Sequence, residues 1–339
     1  MIGLYPLDSE ALAQELVARL DPLVPAFLLI DPFLREPTES LNEAVQRCED
    51  AHALSDARST YWEAAVFPVS LSDKLRIPQH RHPYVVECSM VRPGVLEETV
   101  RFAVQERGRA LATGLAPYCI GGWLQSTSAP DQLCATLSRL SQLRTSPSTL
   151  AAARYLRIAD RRVLGLLCHV LGPEQIMTRL PGLDRWLWLD DAAGLRAIER
   201  CGVATTEPLV IDRAAWQRLA NGSDLHPVRA RLIGLKPDAA SQFDRIEAAL
   251  EAGRAVATRW PTRFTTARDV QDWALLTLLF GDLKEHPEVI RILAHGDPEC
   301  PELPGEPPEP FHLLLDAAIG AARTADEKSP ACGFSEERT

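Results

Sequence analysis

The chain predicts an α/β protein in which a mixed-sheet N-terminal lobe is followed by a smaller, all-helical C-terminal lobe. Three observations carry that expectation. Short apolar runs alternate with segments of helical period from residue 27 to residue 190, the pattern of strands and helices that share a sheet. Beyond Arg213 only helical periodicity recurs. The stretch Asp297–Pro310, "DPECPELPGEPPEP", then holds six prolines and five acidic residues, the composition of an extended linker. The expected organisation is an α/β domain over 1–191, a helical lobe over 192–296, and an acidic, proline-rich linker and tail over 297–339. One candidate helix, "FHLLLDAAIGAARTA", lies in that tail.

Taken in order, Asp8 or Ser9 caps a first helix whose apolar line is Leu12, Leu16, Val17 and Leu20. "PAFLLI" follows as a buried strand ending at Asp31-Pro32. "TESLNEAVQRCEDA" reads as helix through Leu41, Ala44, Val45 and Cys48, residues 55–62 fit either helix or strand, and 64–68 read as extended. "HPYVVECSM" is the next strand. Pro93-Gly94 precede a helix marked by Leu96, Val100, Ala103 and Val104. In "YCIGGWLQS", residues 118–126, the pair Gly121-Gly122 marks a turn, a bulge or a close backbone approach. Ser128 and Asp131 suggest a capping-box-like start for a helix lined by Leu133, Leu137 and Leu140.

The thirty-nine residues from Ala153 to Asp191 have the most internal logic. A brief extended run at 155–158 leads to Asp160, whose side chain caps a helix carrying Val163, Leu164, Leu167, Cys168 and Leu171. Gly172-Pro173 ends that helix and starts another. Trp186-Leu187-Trp188-Leu189 closes the unit as a strand, tryptophans on one side and leucines on the other. The sheet is expected to hold four to six strands, mixed or parallel. "AAGLRAIERCG" then fits a linker helix or a sheet-edge strand, and "TEPLVID" a short extension. Helices follow in "DRAAWQRLANG", over 238–254, after a start framed by Thr266 and Asp269, and in "PEVIRILAHG" from Pro287.

Charge and composition exclude several classes. Residues 282–339 hold thirteen Asp/Glu against five Lys/Arg, which accounts for −8 of the formal −10. A nearly neutral body with an acidic tail gives no basic surface for nucleic acid. The first twenty residues have no basic stretch leading into an apolar run, so no secretory signal is expected. The longest apolar candidate, Trp273–Phe280, is eight residues, too short for a membrane span. Eight cysteines without a CxxC pair fit a reducing cytoplasm better than a disulfide scaffold.

The search for chemistry yields little. His80 and His82 with Cys88 are the one local group resembling metal ligands, without a nearby fourth. No G-x-S-x-G, G-x-G-x-x-G, P-loop or H-E-x-x-H sequence occurs. Glu97-Glu98 and Asp190-Asp191 are consecutive and so face different ways. No cofactor, metal or enzymatic activity is expected; the alternative is a divergent hydrolase or transferase with a site near Cys119 and His80 or His82. More telling are Arg154, Arg157, Asp160, Arg161 and Arg162 at one helix start, where positive charge opposes the helix dipole. Arg157 and Asp160 suit an internal clamp, with Arg161 or Arg162 free for solvent or a partner; a plain solvated turn is an equal reading. Trp123, Trp186 and Trp188 suit interface anchors or core, and Trp273 with Leu276 suits either a partner surface or the interior of the helical lobe.

The segments "IGGWLQSTSAPDQLCATLSRL", "YLRIADRRVLGLLCHVLGPEQI" and "DRWLWLDD" together resemble the domain-of-unknown-function 4123 family, adaptor chaperones that load toxic effectors onto the spike of bacterial type VI secretion systems. The resemblance rests on Gly122, Trp123, Leu124 and Ser126, on Arg157, Asp160, Arg162, Val163 and Leu164, on Pro173 and Glu174, and on Trp186. It covers 27–190 well and 262–294 loosely, the latter through Gly281, Pro287 and Glu288. "FLLIDPF" keeps only Leu29 or Ile30 and Asp31 of the family's opening strand. Ala159 and Arg161 replace an aromatic and a proline around the aspartate, which predicts a less rigid and more basic turn. The resemblance implies a two-lobed, non-catalytic cytoplasmic adaptor. One lobe would hold a segment of a cargo effector, and the other would contact the C-terminal region of a VgrG-type spike protein. The partner-binding residues it and the sequence suggest are Trp123, Arg157, Asp160, Arg161, Arg162, Trp186, Trp188 and Trp273.

Overall fold

Five consecutive buried residues, Ala26–Ile30 (β1), form the central strand of a six-stranded sheet. The structure, a computed structural model, describes residues 7–88, 93–113, 117–145, 154–192, 194–205, 207, 209–261, 264–281, 283 and 293. They divide into two compact units, Met1–Phe243 and Asp244–Thr339. In the first, β1 pairs on one side with Tyr84–Cys88 (β3), which carries Val66–Pro68 (β2) at the edge. On its other side lie Ile120–Ser126 (β4), Leu183–Asp190 (β7) and Gly194–Glu199 (β8), giving the order β2-β3-β1-β4-β7-β8.

The period of two along each strand sorts the side chains onto two faces. Leu28, Ile30, Tyr84, Val86, Trp123, Leu187 and Leu189 meet the helices Ser9–Arg19 (α1) and Pro93–Thr113 (α4), through Leu16, Leu96, Val100 and Ala103 among others. Phe27, Leu29, Val85, Leu124, Trp186 and Trp188 meet Pro130–Leu140 (α5), Arg161–Leu171 (α6) and Pro173–Met177 (α7). The expected split of tryptophans and leucines in β7 is therefore real, and both sides are interior.

Every ladder in this sheet is antiparallel, where the sequence allows a mixed or parallel arrangement. Helices on both faces make each central strand a continuous apolar run, which hides the direction of pairing from the sequence. Mixed pairing occurs in a second sheet, β6-β5-β9: Gln142–Thr145 (β5) runs antiparallel to Arg154–Tyr155 (β6) and parallel to Val210–Ile211 (β9).

Local chemistry explains most boundaries. Asp8 caps α1, accepting from the amides of Glu10 and Ala11. The helix expected over 38–51 ends early, as Glu39–Gln46 (α2), and a second helix, Ala51–Trp62 (α3), is started by Asp50, which accepts from Ala53 N at 2.8 Å. The ambiguous stretch 55–62 is thereby helical. At α5 the expected Ser128 cap is not formed; Ala129 holds the cap position and Pro130, with no N–H to satisfy, takes the first turn. Gly172, at φ 85°, ends α6, and Pro173 opens α7 as expected.

The division at Phe243 places β8 and the helices Arg213–Ala220 (α8), Gly222–Leu235 (α9) and Pro237–Ala240 (α10) in the first unit, whereas composition placed a boundary at 191. "AAGLRAIERCG" is the edge strand β8 and no linker. α9 was not singled out by the sequence because Pro227 lies inside it, yet Leu225, Val228, Leu232 and Ile233 bury one stripe. The second unit holds Phe243–Arg259 (α11) except its first residue, and Ala267–Phe280 (α12), the latter opened by a capping box of Thr266 and Asp269. Its core gathers Val256, Phe264, Trp273, Leu276, Leu283 and Leu293. Apart from Leu293, the expected helix from Pro287 lies outside the described residues, as does the tail 297–339. Among those described, no helix is long and apolar enough to cross a membrane.

Gly122 shows how tightly β4 is held. Its φ is +134°, and an added Cβ would collide with the Leu187 carbonyl oxygen and sit 2.9 Å from Trp186 Nε1. Gly122→Ala is expected to lose about 3 kcal/mol or more in urea unfolding, because both the backbone conformation and the neighbouring strand oppose it. Gly94→Ala, in open space on α4, should be neutral or slightly stabilising.

Candidate functional site

The start of α6 is where the chain concentrates charge. Asp160 caps the helix, accepting from the amide of Arg162 at 3.0 Å, and then takes the Arg162 guanidinium through Nε at 3.0 Å and Nη2 at 2.7 Å. Burial pushes the Asp160 carboxyl up, but the Arg162 bonds and charge, with Arg157, outweigh it and hold it below the usual range. Arg157 reaches across to Asp31 at the end of β1, with Nε and Nη2 at 3.1 and 2.7 Å from Oδ2, and lies over the Phe33 ring. Burial dominates at Asp31: its carboxyl is pushed up to about 6 despite the Arg157 charge. The expected Arg157–Asp160 clamp is thus secondary, at 3.7 Å, to an Arg157–Asp31 pair that ties the segment after β6 to the residue after β1.

Arg161 points the other way, into the protein. Its Nη1 is 3.1 Å from Glu106 of α4, and its Nη2 donates to the Ala103 carbonyl at 2.8 Å. Glu106 also accepts from the amides of Cys119 and Ile120. Arg161 is therefore not available to a partner. The guanidinium carbons of Arg161 and Arg162 lie 4.2 and 4.3 Å from the centroid of the Tyr118 ring, a cation–π arrangement. Tyr118 donates to Asp191 Oδ2 at 2.6 Å, and Arg107 Nε donates to the Asp191 carbonyl. Asp190 is gripped by Nη2 of Arg229, from α9, at 2.8 Å to each oxygen. The two consecutive aspartates do face different ways, and each serves a different helix.

Tyr118, Arg157, Asp160, Arg162, Asp191 and Arg229 line a cavity of about 470 Å³ bounded by α4, α6, α8 and α9. Arg157 and Arg162 line it with 20% and 22% of their side chains exposed. Leu166, Leu219 and Ile233 form an apolar side. His226 lines it as well and is held neutral, burial lowering its pKa to about 3 against the opposing pull of Asp160. Two polar atoms of residues that line it, Asp191 Oδ1 and the Tyr155 hydroxyl, are themselves buried away from solvent and have no hydrogen-bond partner.

The tryptophans named by the sequence are interior, which corrects their reading as interface anchors. Trp123 is buried between β4 and α4 with its indole N–H on Thr99 at 2.9 Å. Trp186 is buried against Gly121, Trp188 is buried with its indole N–H unpaired, and Trp273 packs edge-on to Phe264 inside the second unit. Large aromatic area is as useful to a core as to an interface, and the sequence does not separate the two. Of the eight residues, only Arg157, Asp160 and Arg162 border open space in the cavity.

The Cys119–His pairing required by the enzymatic alternative is not formed. The Cys119 thiol donates to the Arg35 carbonyl, and burial pushes its pKa well up, away from a thiolate. The His82 ring is spent on backbone, Nε2 to the Ile77 carbonyl and Nδ1 from the Leu71 amide. Cys88 is buried with its thiol on the Val86 carbonyl. Sequence reasoning missed Glu106, Tyr118, His226 and Arg229. The signal for two of them was a charge on an otherwise apolar helical stripe: Glu106 beyond Val100 and Ala103, and Arg229 between Val228 and Leu232.

Removing one partner from a buried ion pair strands the other. Arg161→Met should therefore cost about 3–5 kcal/mol in urea unfolding. Arg162→Met, whose partner keeps an amide bond and lies by the open cavity, should cost about 1–2 kcal/mol.

The pH dependence has two opposing parts. Asp31 binds its proton more readily folded, at about 6, than unfolded, at 3.8, so its contribution to stability falls as pH rises through that window. His226 binds its proton less readily folded, at about 3, than unfolded, at 6.5, so its contribution is lost as pH falls through that window. Urea unfolding between about pH 4 and pH 6 should accordingly show a steeper acid loss in Asp31→Asn and a shallower one in His226→Gln.

Comparison with known proteins finds no matching family model, no matching curated protein and no matching solved structure, so the family resemblance rests on the motif residues themselves.

Proposed function

We propose that this protein is an effector-loading adaptor of a type VI secretion system, which holds a segment of a cargo effector and brings it to the C-terminal region of the spike protein without catalysing a reaction. One observation carries the reading. The residues behind the family resemblance form a single framework, with Gly122, Trp123, Ser126 and Trp186 on two adjacent strands and Arg157, Asp160 and Arg162 bordering one cavity beside them.

A binding role also suits the electrostatics. The charged groups around the cavity are neutralised in pairs inside the protein, so the surface offers hydrogen bonds and apolar contact without a strong field for nucleic acid. Loading of this kind takes place in the cytoplasm, before secretion, which agrees with unpaired cysteines among the described residues.

Co-expression of the tagged chain with the toxin and spike proteins encoded beside its gene tests the reading. Affinity purification followed by size exclusion should return a stoichiometric complex with one toxin and with the spike. Failure to recover a complex with any neighbouring toxin or spike would sink it.

A further inference from the structure

We propose that Arg157 is a two-position cation, held on Asp31 while that carboxylate is ionised and passed to Asp160 when Asp31 takes up a proton. Mild acid would then uncouple the segment before α6 from the end of β1 and move a guanidinium in the cavity wall. This switch is independent of the adaptor reading.

The geometry offers the two positions. Arg157 lies between two carboxylates whose side chains are 0% and 2% exposed, Asp31 and Asp160. Its Nε and Nη2 both donate to Asp31 Oδ2, at 3.1 and 2.7 Å, while its Nη1 stands 3.7 Å from Asp160 Oδ2. A movement of about 1 Å brings that second pair to hydrogen-bond length. Asp160 has room for it. The Arg162 amide and Nε use Oδ1, and only Arg162 Nη2 uses Oδ2, so Oδ2 keeps a lone pair for another donor. Arg157 itself borders the cavity with a fifth of its side chain exposed, so it is not wedged against Asp31.

Asp31 is the member of the cluster that changes charge. It faces Arg157, the Asp160 carboxylate and the Phe33 amide, which donates to its Oδ1 at 3.0 Å. Tyr155 of β6 and Cys119, whose carbonyl accepts the Asp31 amide, complete its surroundings. Arg35 and Glu106 act on Cys119 from its other sides. Burial pushes both the Tyr155 hydroxyl and the Cys119 thiol up, so each stays neutral. Asp160 is held ionised by Arg162, and His226, which faces Asp160, is held neutral by burial. Asp31, at about 6, is left to titrate in mild acid.

The direction of the transfer follows from charge. Two buried anions share Arg157 at neutral pH, and the Asp160 charge makes ionisation of Asp31 harder. A neutral carboxyl oxygen accepts a guanidinium N–H far less strongly than a carboxylate does. The proton therefore weakens the hold of Asp31 while Asp160 keeps its charge. Transfer also draws the guanidinium from the Phe33 ring, whose centroid is 4.7 Å away in the Asp31-bound position.

The test follows the Arg157 Nε–H resonance in the 15N-labelled full chain from about pH 7.5 to about pH 5, assigned by its loss in Arg157→Lys. One transition is expected, with its midpoint at about pH 6. Asp31→Asn, whose amide oxygen is also neutral, should show the acid position throughout and no transition. Crystal structures of the unaltered chain at the two pH values supply the distance: Nη1 to Asp160 Oδ2 should shorten from 3.7 Å to about 2.8 Å in acid, with the bonds to Asp31 lengthened. A resonance that does not move, a transition that persists in Asp31→Asn, or an acid structure with Arg157 still on Asp31 would each overturn the switch. The pair of structures decides the matter even where Asp31→Asn fails to fold.

Discussion

The pair between Arg161 and Glu106 is the contact on which the first unit depends. Glu106 projects from α4 and accepts the amides of Cys119 and Ile120, the residues that lead into β4. Arg161 projects from the first turn of α6 and returns hydrogen bonds to Ala103 of α4 and Ile120 of β4. One ion pair thus joins a helix on one sheet face, a central strand, and a helix on the other face. Neither charge has water as an alternative, so backbone groups take most of the remaining bonds, Arg161 Nε being left without a partner. The Glu106 carboxyl is nonetheless pushed up by burial against the Arg161 charge, a measure of how far it has been taken from solvent.

That commitment explains the odd rim of arginines at the start of α6. Two successive cations at a helix N-terminus oppose the dipole. Here Arg161 is neutralised by Glu106 and Arg162 by Asp160, whose own cap bond offsets the remainder. Arg157 is anchored on Asp31 rather than on the helix. Pairing of this kind fixes guanidinium positions and leaves edges of Arg157 and Arg162 in the cavity. Tyr118 beneath them holds Asp191, so the cations and the unpaired carboxylate oxygen belong to one rigid assembly.

Much of this architecture was legible residue by residue. The cap at Asp160, the Gly172-Pro173 break, the two faces of β7 and the Thr266–Asp269 capping box all follow from short-range chemistry that acts within four residues. Pairing direction did not, because Ala26–Ile30 is buried on both faces and carries no alternation. α9 did not, because Pro227 argues against helix locally while the burial of Leu225, Val228 and Leu232 decides it. The site was legible only in part. Arg157, Asp160 and Arg162 stand together in sequence, whereas Asp31, Glu106, Tyr118, Asp191 and Arg229 join them through contacts tens of residues away. Of the expected pair, Arg162 borders the cavity and Arg161 does not, and nothing near Arg161 in sequence announces Glu106.

The protonation states around the cavity bear on what such a site is for. A general base needs a group poised near neutrality and free to move its proton. His226 is held neutral far below that range, the Asp160 carboxyl is held ionised by Arg162, and the Tyr118 hydroxyl is locked onto Asp191 with its pKa driven well above the ordinary value by burial. Each of these three groups therefore keeps one protonation state across the physiological range; Asp31, behind Arg157 and outside the lining, is the carboxyl pushed up to about 6. Fixed donors and acceptors are a poor instrument for proton transfer and a good one for recognition, since a ligand meets the same hydrogen-bond pattern every time and none of its binding free energy goes into changing the charge of the wall.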